Sequence, residues 1–149
     1  TNMRSDGQPG SNTTFPDTDF PMFRLADVYL MYAEAVARGG QGGSMATAVG
    51  YVNALRQRAY GDTFHGINES WLRENDFRNL LDERARELYW EGTRRTDLIR
   101  YGLFASPNYL WTFKGGVLGG VGVDSRYNVF PIPTTDLSVN GNLRQNEGY

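Results

Sequence analysis

The chain has 149 residues, 40% of them apolar and 21% charged, and carries a net charge of −2. That length suits one ordinary domain able to bury roughly 70% of the surface its unfolded form exposes, and the composition is globular rather than disordered. No stretch approaches the roughly 20 consecutive apolar residues of a membrane helix, and the weakly acidic balance disfavours nucleic acid, whose phosphates call for clustered Lys and Arg in excess.

Residues 1–22 form a polar, irregular lead-in carrying Gly7, Pro9 and Gly10, without a start Met, signal peptide or lipid-attachment Cys, as in a piece of a longer protein. Over residues 23–38, Leu25, Val28, Tyr29, Tyr32 and Val36 recur at spacings of three and four, which predicts a helix with that stripe inward. Ala26, Ala33, Ala35 and Ala37 beside it would admit a close antiparallel neighbour. The run Gly39-Gly40-Gln41-Gly42-Gly43 ends the helix. Ser44 then caps a second, over residues 45–59, with Met45, Ala48, Val49, Val52, Leu55 and Ala59 on one face. Two helices and a turn in roughly 35 residues match the length of one tetratricopeptide-like repeat, although the pattern alone favours a plain helical hairpin.

Periodicity lapses over residues 60–74, a loop holding Phe64, His65 and Trp71. Asn75 or Asp76 restarts a helix, the longest, over residues 77–99, with Phe77, Leu80, Leu81, Ala85 and Leu88 inward and Gly92 interrupting it. Pro107 closes the helical region. A Gly-rich stretch at 115–122 precedes an extended segment at 127–133, where Pro131 and Pro133 exclude a helix. Thr134 or Thr135 can cap a single turn before a polar tail. The reading is an all-α fold, with one helical domain over residues 23–149.

Cysteine is absent, which removes disulfides, thiolate metal sites and thiol nucleophiles. The densest charged cluster is Asp82, Glu83, Arg84, Arg86 and Glu87, followed by Glu91, Arg94, Arg95, Asp97 and Arg100. A glycosidase needs two carboxyl groups about 5 to 9 Å apart in one cleft, one of them with a raised pKa. Glu87 and Glu91 on successive turns meet that distance crudely. The interleaved arginines argue against it: Asp82 with Arg86, Glu91 with Arg95, and Arg94 with Asp97 fall at helical neighbour spacings, where opposite charges pair. A structural ion-pair network of Glu83, Arg84, Glu87, Glu91, Arg94 and Asp97 is therefore preferred to catalysis. The glycines before Ser44 lack the Lys of a phosphate loop and a leading strand. His65 has no second His or Cys to complete a metal site, so neither metal nor cofactor is expected. The triplets starting at Asn12 and Asn68 match the glycosylation acceptor only as a common chance pattern. Aromatic residues are plentiful, with nine Tyr, eight Phe and three Trp, and sugars stack their apolar faces on such rings. Trp71 with Phe64, and Tyr109, Trp111 and Phe113 with Lys114, are the candidate ligand contacts. The plainer alternative is that each ring anchors its loop to the core.

Several segments in order resemble the C-terminal region of the SusD/RagB family. Residues 23–35, with Arg24 near the start and Ala33-Glu34-Ala35 at the end, resemble one family helix. Residues 52–59, with Asn53, Arg56 and Arg58-Ala59, resemble its N-x-[VIL]-R-x-R-A segment. Glu83-Arg84-Ala85-Arg86-Glu87-Leu88 and the run 91–100 are similar to the paired E-R-x-x-E-[LF] and E-G-x-R-x-x-D-L-x-R signatures. Pro131-Ile132-Pro133 and Gln145-Asn146-Glu147-Gly148-Tyr149 resemble the P-I-P and closing Q-N-P-G-Y elements. Thr93, Gly141 and Glu147 depart from the pattern, where His, Pro and Pro are usual. The pairing of Arg94-Arg95-Thr96-Asp97 with Tyr109-Leu110-Trp111 and Lys114 is similar to the starch-utilisation branch.

The resemblance implies an all-helical, tetratricopeptide-containing, non-enzymatic protein, lipid-anchored on the outer face of a Bacteroidetes-type outer membrane. Such a protein binds oligosaccharides and hands them to a TonB-dependent, SusC-like transporter, with its ligand contacts largely outside the region matched here. A helical scaffold for protein partners, or a peptide cargo, is the alternative, and a glycoside hydrolase the remotest.

Overall fold

A computed structural model of the chain describes residues 4, 6–15, 17, 21–113 and 116–149. In chain order the elements are α1 (Leu25–Ala37), α2 (Met45–Tyr60), α3 (Arg78–Glu87), α4 (Arg94–Arg100), a 3-10 turn (Ser125–Asn128) and α5 (Thr134–Val139). No strand forms among the described residues, where Trp111 and Val121 make an isolated antiparallel bridge. The fold is all-helical, and the residues divide into two compact units, Thr1–Ile67 and Asn68–Tyr149.

The first unit is the α1–α2 hairpin. Its packing face on α1 is Ala26, Leu30, Ala33, Val36 and Ala37, all buried, whereas Leu25 is 63% exposed and Val28 also faces out. The face is thus rotated from the one its larger apolar residues suggested, because small side chains let the α2 backbone approach. Ala35 lies outside that face and is exposed. Tyr29 stacks on Tyr51 with ring centroids 4.1 Å apart and planes within 1°, and Tyr32 meets the same ring edge-on at 5.1 Å. The Ser44 Oγ accepts from Thr47 N at 3.1 Å, the cap anticipated from the sequence. Along α2, Ala48, Val52 and Leu55 are buried, while Ala59 is exposed.

Two α2 side chains fold the following loop back. Asn53 holds both backbone groups of Ile67, donating to its carbonyl at 3.1 Å and accepting from its N–H at 2.6 Å. Arg56 Nε donates to the His65 carbonyl at 2.6 Å, and its guanidinium lies over the Tyr60 ring, on which His65 stacks at 4.0 Å. The His65 Nδ1 is 2.9 Å from an Asp62 oxygen. That contact holds the Asp62 carboxyl below its ordinary pKa.

In the second unit the single long helix expected over residues 77–99 is divided into α3 and α4. At the corner between them Trp90 has φ +67° and Gly92 φ +77°. Gly92 adopts that backbone freely and so breaks the helix rather than kinking it, whereas the left-handed region costs a residue such as Trp90 about 1–2 kcal/mol. The helix also starts later than anticipated, at Arg78, because Asn75, Asp76 and Phe77 all have positive φ; Asn and Asp tolerate this conformation better than other L residues. Leu72, Leu80, Leu81, Leu88, Leu98 and Leu103 are the buried apolar residues of the unit.

Beyond α4 the extended segment begins only at Val129, since Tyr127 and Asn128 belong to the 3-10 turn. Helix α5 has Pro133 at its N-cap and no side-chain cap, so neither Thr134 nor Thr135 plays that part. The closing residues fasten this segment by hydrogen bonds. Gln145 accepts from Ile132 N at 2.8 Å and donates to its carbonyl at 2.9 Å, imitating one rung of a β ladder. Asn146 Nδ2 donates to the Phe130 carbonyl at 2.7 Å. The Tyr149 hydroxyl reaches the Val129 carbonyl at 3.0 Å, and Arg126 donates to the Gly148 carbonyl at 3.1 Å. Gly148 has φ +91°, and a Cβ there would stand 2.9 Å from that of Arg126. Replacing Gln145 by Ala should remove both bonds to Ile132 and lower stability by about 1–3 kcal/mol. An unchanged urea-unfolding midpoint would show that the tail is held by other means.

Candidate ligand-binding surface of the second unit

The charged signature is organised around one buried pair. Arg84 on α3 and Asp97 on α4 are 5% and 4% exposed, so each must find an opposite charge inside the fold. Arg84 Nε donates to Asp97 Oδ2 at 2.8 Å, and Arg100 Nη2 donates to the other Asp97 oxygen, also at 2.8 Å. The division of the helix thereby changes the partners expected from helical spacing. Asp97 takes Arg84 and Arg100 in place of Arg94, and Arg86 pairs with the buried Glu83 at 2.6 Å in place of Asp82. Glu91 lies ahead of α4 and no longer shares a helix with Arg95. Glu87 ends α3, so the successive-turn geometry that made Glu87 and Glu91 resemble a catalytic pair is lost; both are half-buried, and each has an interaction of its own.

The arginines of α4 connect this helix to the aromatic loops. Arg94 donates to the Leu81 carbonyl at 3.0 Å and to the Tyr109 hydroxyl at 3.2 Å, with Asp82 3.8 Å away. Arg95 donates to the carbonyls of Tyr127 and Asn128 at 3.1 and 3.2 Å, and its guanidinium lies between the rings of Phe104 and Phe130, 4.8 and 4.6 Å from their centroids. Tyr109 and Trp111 meet edge to face at 5.2 Å, and Trp111 meets Phe104 in the same way at 5.9 Å. All three rings are half-buried against the Leu81, Leu98 and Leu103 cluster. Two of the candidate ligand contacts, Tyr109 and Trp111, are thus brought together beside Arg94.

Trp71 belongs to a different element, the turns ahead of α3, where its N–H is held by Asn68 and its carbonyl by Asn79. It is half-buried, and Phe64 lies in the first unit. Lys114 falls outside the described residues. Phe113 is fully exposed.

The sequence reading passed over Tyr89 and Trp90. Their rings, 6.3 Å apart, are 74% and 85% exposed. They rim an open groove of about 490 Å³ at the α3–α4 corner, where Ala85, Leu88, Gly92 and Thr93 also contribute. The available signal was their position off the inward stripe, next to a glycine that breaks the helix. A second, more polar hollow of about 420 Å³ lies between the 3-10 turn and the tail, lined by Asp124, Arg126, Asn146 and Glu147 among others.

A profile of the SusD family matches residues 2–149. The chain belongs to the SusD family. It is 49% identical over 148 residues to the starch-binding protein SusD of Bacteroides thetaiotaomicron, covering 99% of this chain and 25% of that protein. It is 34% identical over 142 residues to the SusD-like protein P25 of Formosa agariphila, covering 86% of this chain and 24% of that one. The crystal structure of a SusD superfamily protein from Parabacteroides distasonis superposes with a TM-score of 0.62 at 26% identity, over 94% of this chain and 29% of the other. The chain therefore spans about a quarter of the length of the curated relatives it matches. The SusD signatures of the longest charged run fall on Arg84, Arg94 and Asp97, whose contacts hold α3, α4 and the Tyr109 loop together. Asp97→Ala would remove the buried carboxylate shared by Arg84 and Arg100, so the unit should lose about 3–5 kcal/mol. Equilibrium unfolding of that variant checks this, and unchanged stability would sink it.

Proposed function

We propose that this chain is part of a cell-surface glycan-binding protein, which captures oligosaccharides at the outer membrane and passes them to a TonB-dependent, SusC-like transporter without altering them. The observation that carries the reading is the 49% identity, across 99% of the chain, to a protein named for binding starch; a glucan is accordingly the favoured ligand. Membership of the SusD family supports binding rather than catalysis. No helix among the described residues is long and apolar enough to cross a membrane, and attachment by a lipid anchor outside this chain is the arrangement the family resemblance implies.

Within the chain, Tyr109 and Trp111 are the proposed ligand contacts, with Trp71 and Lys114 as further candidates on other segments. A sugar presents an apolar face of C–H groups that stacks on an aromatic ring, while its hydroxyls seek planar donors. The half-exposed ring pair supplies the first, and Arg94 fixes the Tyr109 hydroxyl. The carboxylates of the signature are proposed as structural, since Asp97 pairs with Arg84 and Arg100, and Glu83 with Arg86.

Isothermal titration of the full-length protein with glucan oligosaccharides should give binding that Trp111→Ala weakens about three- to tenfold, the worth of one aromatic stack. Absence of heat with any sugar would favour a scaffold for protein partners. Starch incubated with the protein should yield no reducing ends; release that disappears in Glu87→Gln would establish a hydrolase instead.

A further inference from the structure

Arg84, Arg86, Arg94 and Arg100 each have a carboxylate oxygen within 3.8 Å. Arg95 is held differently. Its Nη2 bridges the successive carbonyls of Tyr127 and Asn128, and its guanidinium is flanked by the rings of Phe104 and Phe130. Both contacts call for a flat, forked cation that stacks on aromatic faces, which a lysine ammonium does not supply. The side chain is half-buried, so this arrangement is enclosed by the unit and not a chance surface pose.

Phe104 carries this contact to the candidate ligand surface. Its ring meets the Trp111 indole with planes at 84°, and Trp111 in turn meets Tyr109 at 77°. Arg94 holds the Tyr109 hydroxyl, so adjacent arginines of α4 stand at the two ends of one run of contacts through the ring pair. The Trp111 backbone is fixed separately. Its N–H donates to the Val121 carbonyl at 3.1 Å, and at Gly120, with φ +87°, a Cβ would stand 2.6 Å from the Trp111 carbonyl. With the backbone held, the direction of the indole is the freedom that remains, and Phe104 packed against Arg95 restricts it. A stacking ligand gains most from a ring already in its bound orientation, since ordering a loose side chain on binding costs affinity.

We propose that Arg95 is a positioning residue for sugar binding: through Phe104 it holds the Trp111 indole in the orientation that receives a sugar ring, and it makes no contact with the ligand itself. The same guanidinium ties that ring to the segment carrying Phe130, which Gln145 and Asn146 fasten from the tail. The proposal rests on the reading of Tyr109 and Trp111 as ligand contacts, and assigns the residue that sets their geometry.

Isothermal titration of the full-length protein with maltohexaose, carried through a double-mutant cycle, tests it. Arg95→Lys should weaken binding about threefold, the low end of the loss of one aromatic stack, in a protein that urea unfolding shows to be folded. In a Trp111→Ala background the same substitution should cause no further loss, because the ring it positions is gone. Native affinity in Arg95→Lys overturns the proposal. So does an equal loss in both backgrounds, which would make Arg95 a ligand contact or a general support of the fold. Phe104→Leu interrupts the relay while leaving the Arg95 carbonyl bonds in place, and it decides the question in the same cycle should Arg95→Lys fail to fold. If Trp111→Ala itself leaves affinity unchanged, the reading of the ring pair fails and the proposal with it; a loss in Trp111→Ala beside a silent Arg95→Lys defeats the proposal alone.

Discussion

The second unit depends on one interaction, the buried pairing of Arg84 with Asp97. The two residues lie on short helices of ten and seven residues, neither long enough to be stable by itself in water. Burial of an arginine and an aspartate would be prohibitive for either alone, so once one helix enters the interior the other must follow. A second arginine, Arg100, takes the remaining carboxylate oxygen from the exposed side. The helix corner is therefore fixed by charge, with Leu81, Leu98 and Leu103 packing around it.

The same economy appears in the smaller signatures. Asn53 takes both backbone groups of Ile67, Gln145 takes both of Ile132, and Arg95 takes two successive carbonyls while its planar face is shared between two phenyl rings. Each is a side chain substituting for secondary structure where the chain has none, and each spans more than ten residues of sequence. Long loops and an extended tail can be ordered in this way with few strands or helices, because buried backbone groups need partners but not necessarily backbone ones. Such residues are polar, yet their work is conformational. The carboxylates of Asp97 and Glu83 are likewise engaged by arginines.

Exposure divides the aromatic residues into two sets. Phe104, Tyr109 and Trp111 lie half-buried, each in edge-to-face contact with another and all resting on leucines; such rings are rigid and retain one accessible side. Tyr89 and Trp90 stand almost wholly in solvent at a strained corner. Rigid, partly supported rings suit a small polar ligand that gains from a preformed surface.

Much of this was legible in the residues. The two-helix hairpin, its glycine turn and the Ser44 cap follow from local preferences, which act over a few positions and are written directly into spacing and side-chain type. The signature motifs carried the family, and with it the all-helical class. What local reading missed has a common cause: the partner of a residue was set by the third dimension. Leu25 and Val28 look more apolar than Ala26 and Ala33, yet the small face packs because the neighbouring backbone comes close. Arg94 stands three residues from Asp97, yet Asp97 belongs to Arg84, thirteen positions away across a broken helix. Tyr109 and Trp111 announced themselves as aromatic, but only folding set them beside Arg94 and left Trp71 on another element. Composition and spacing determined which segments are helical and which side chains are charged; the tertiary structure alone decided which charges meet and which rings remain uncovered, because those outcomes depend on distances between segments far apart in the chain.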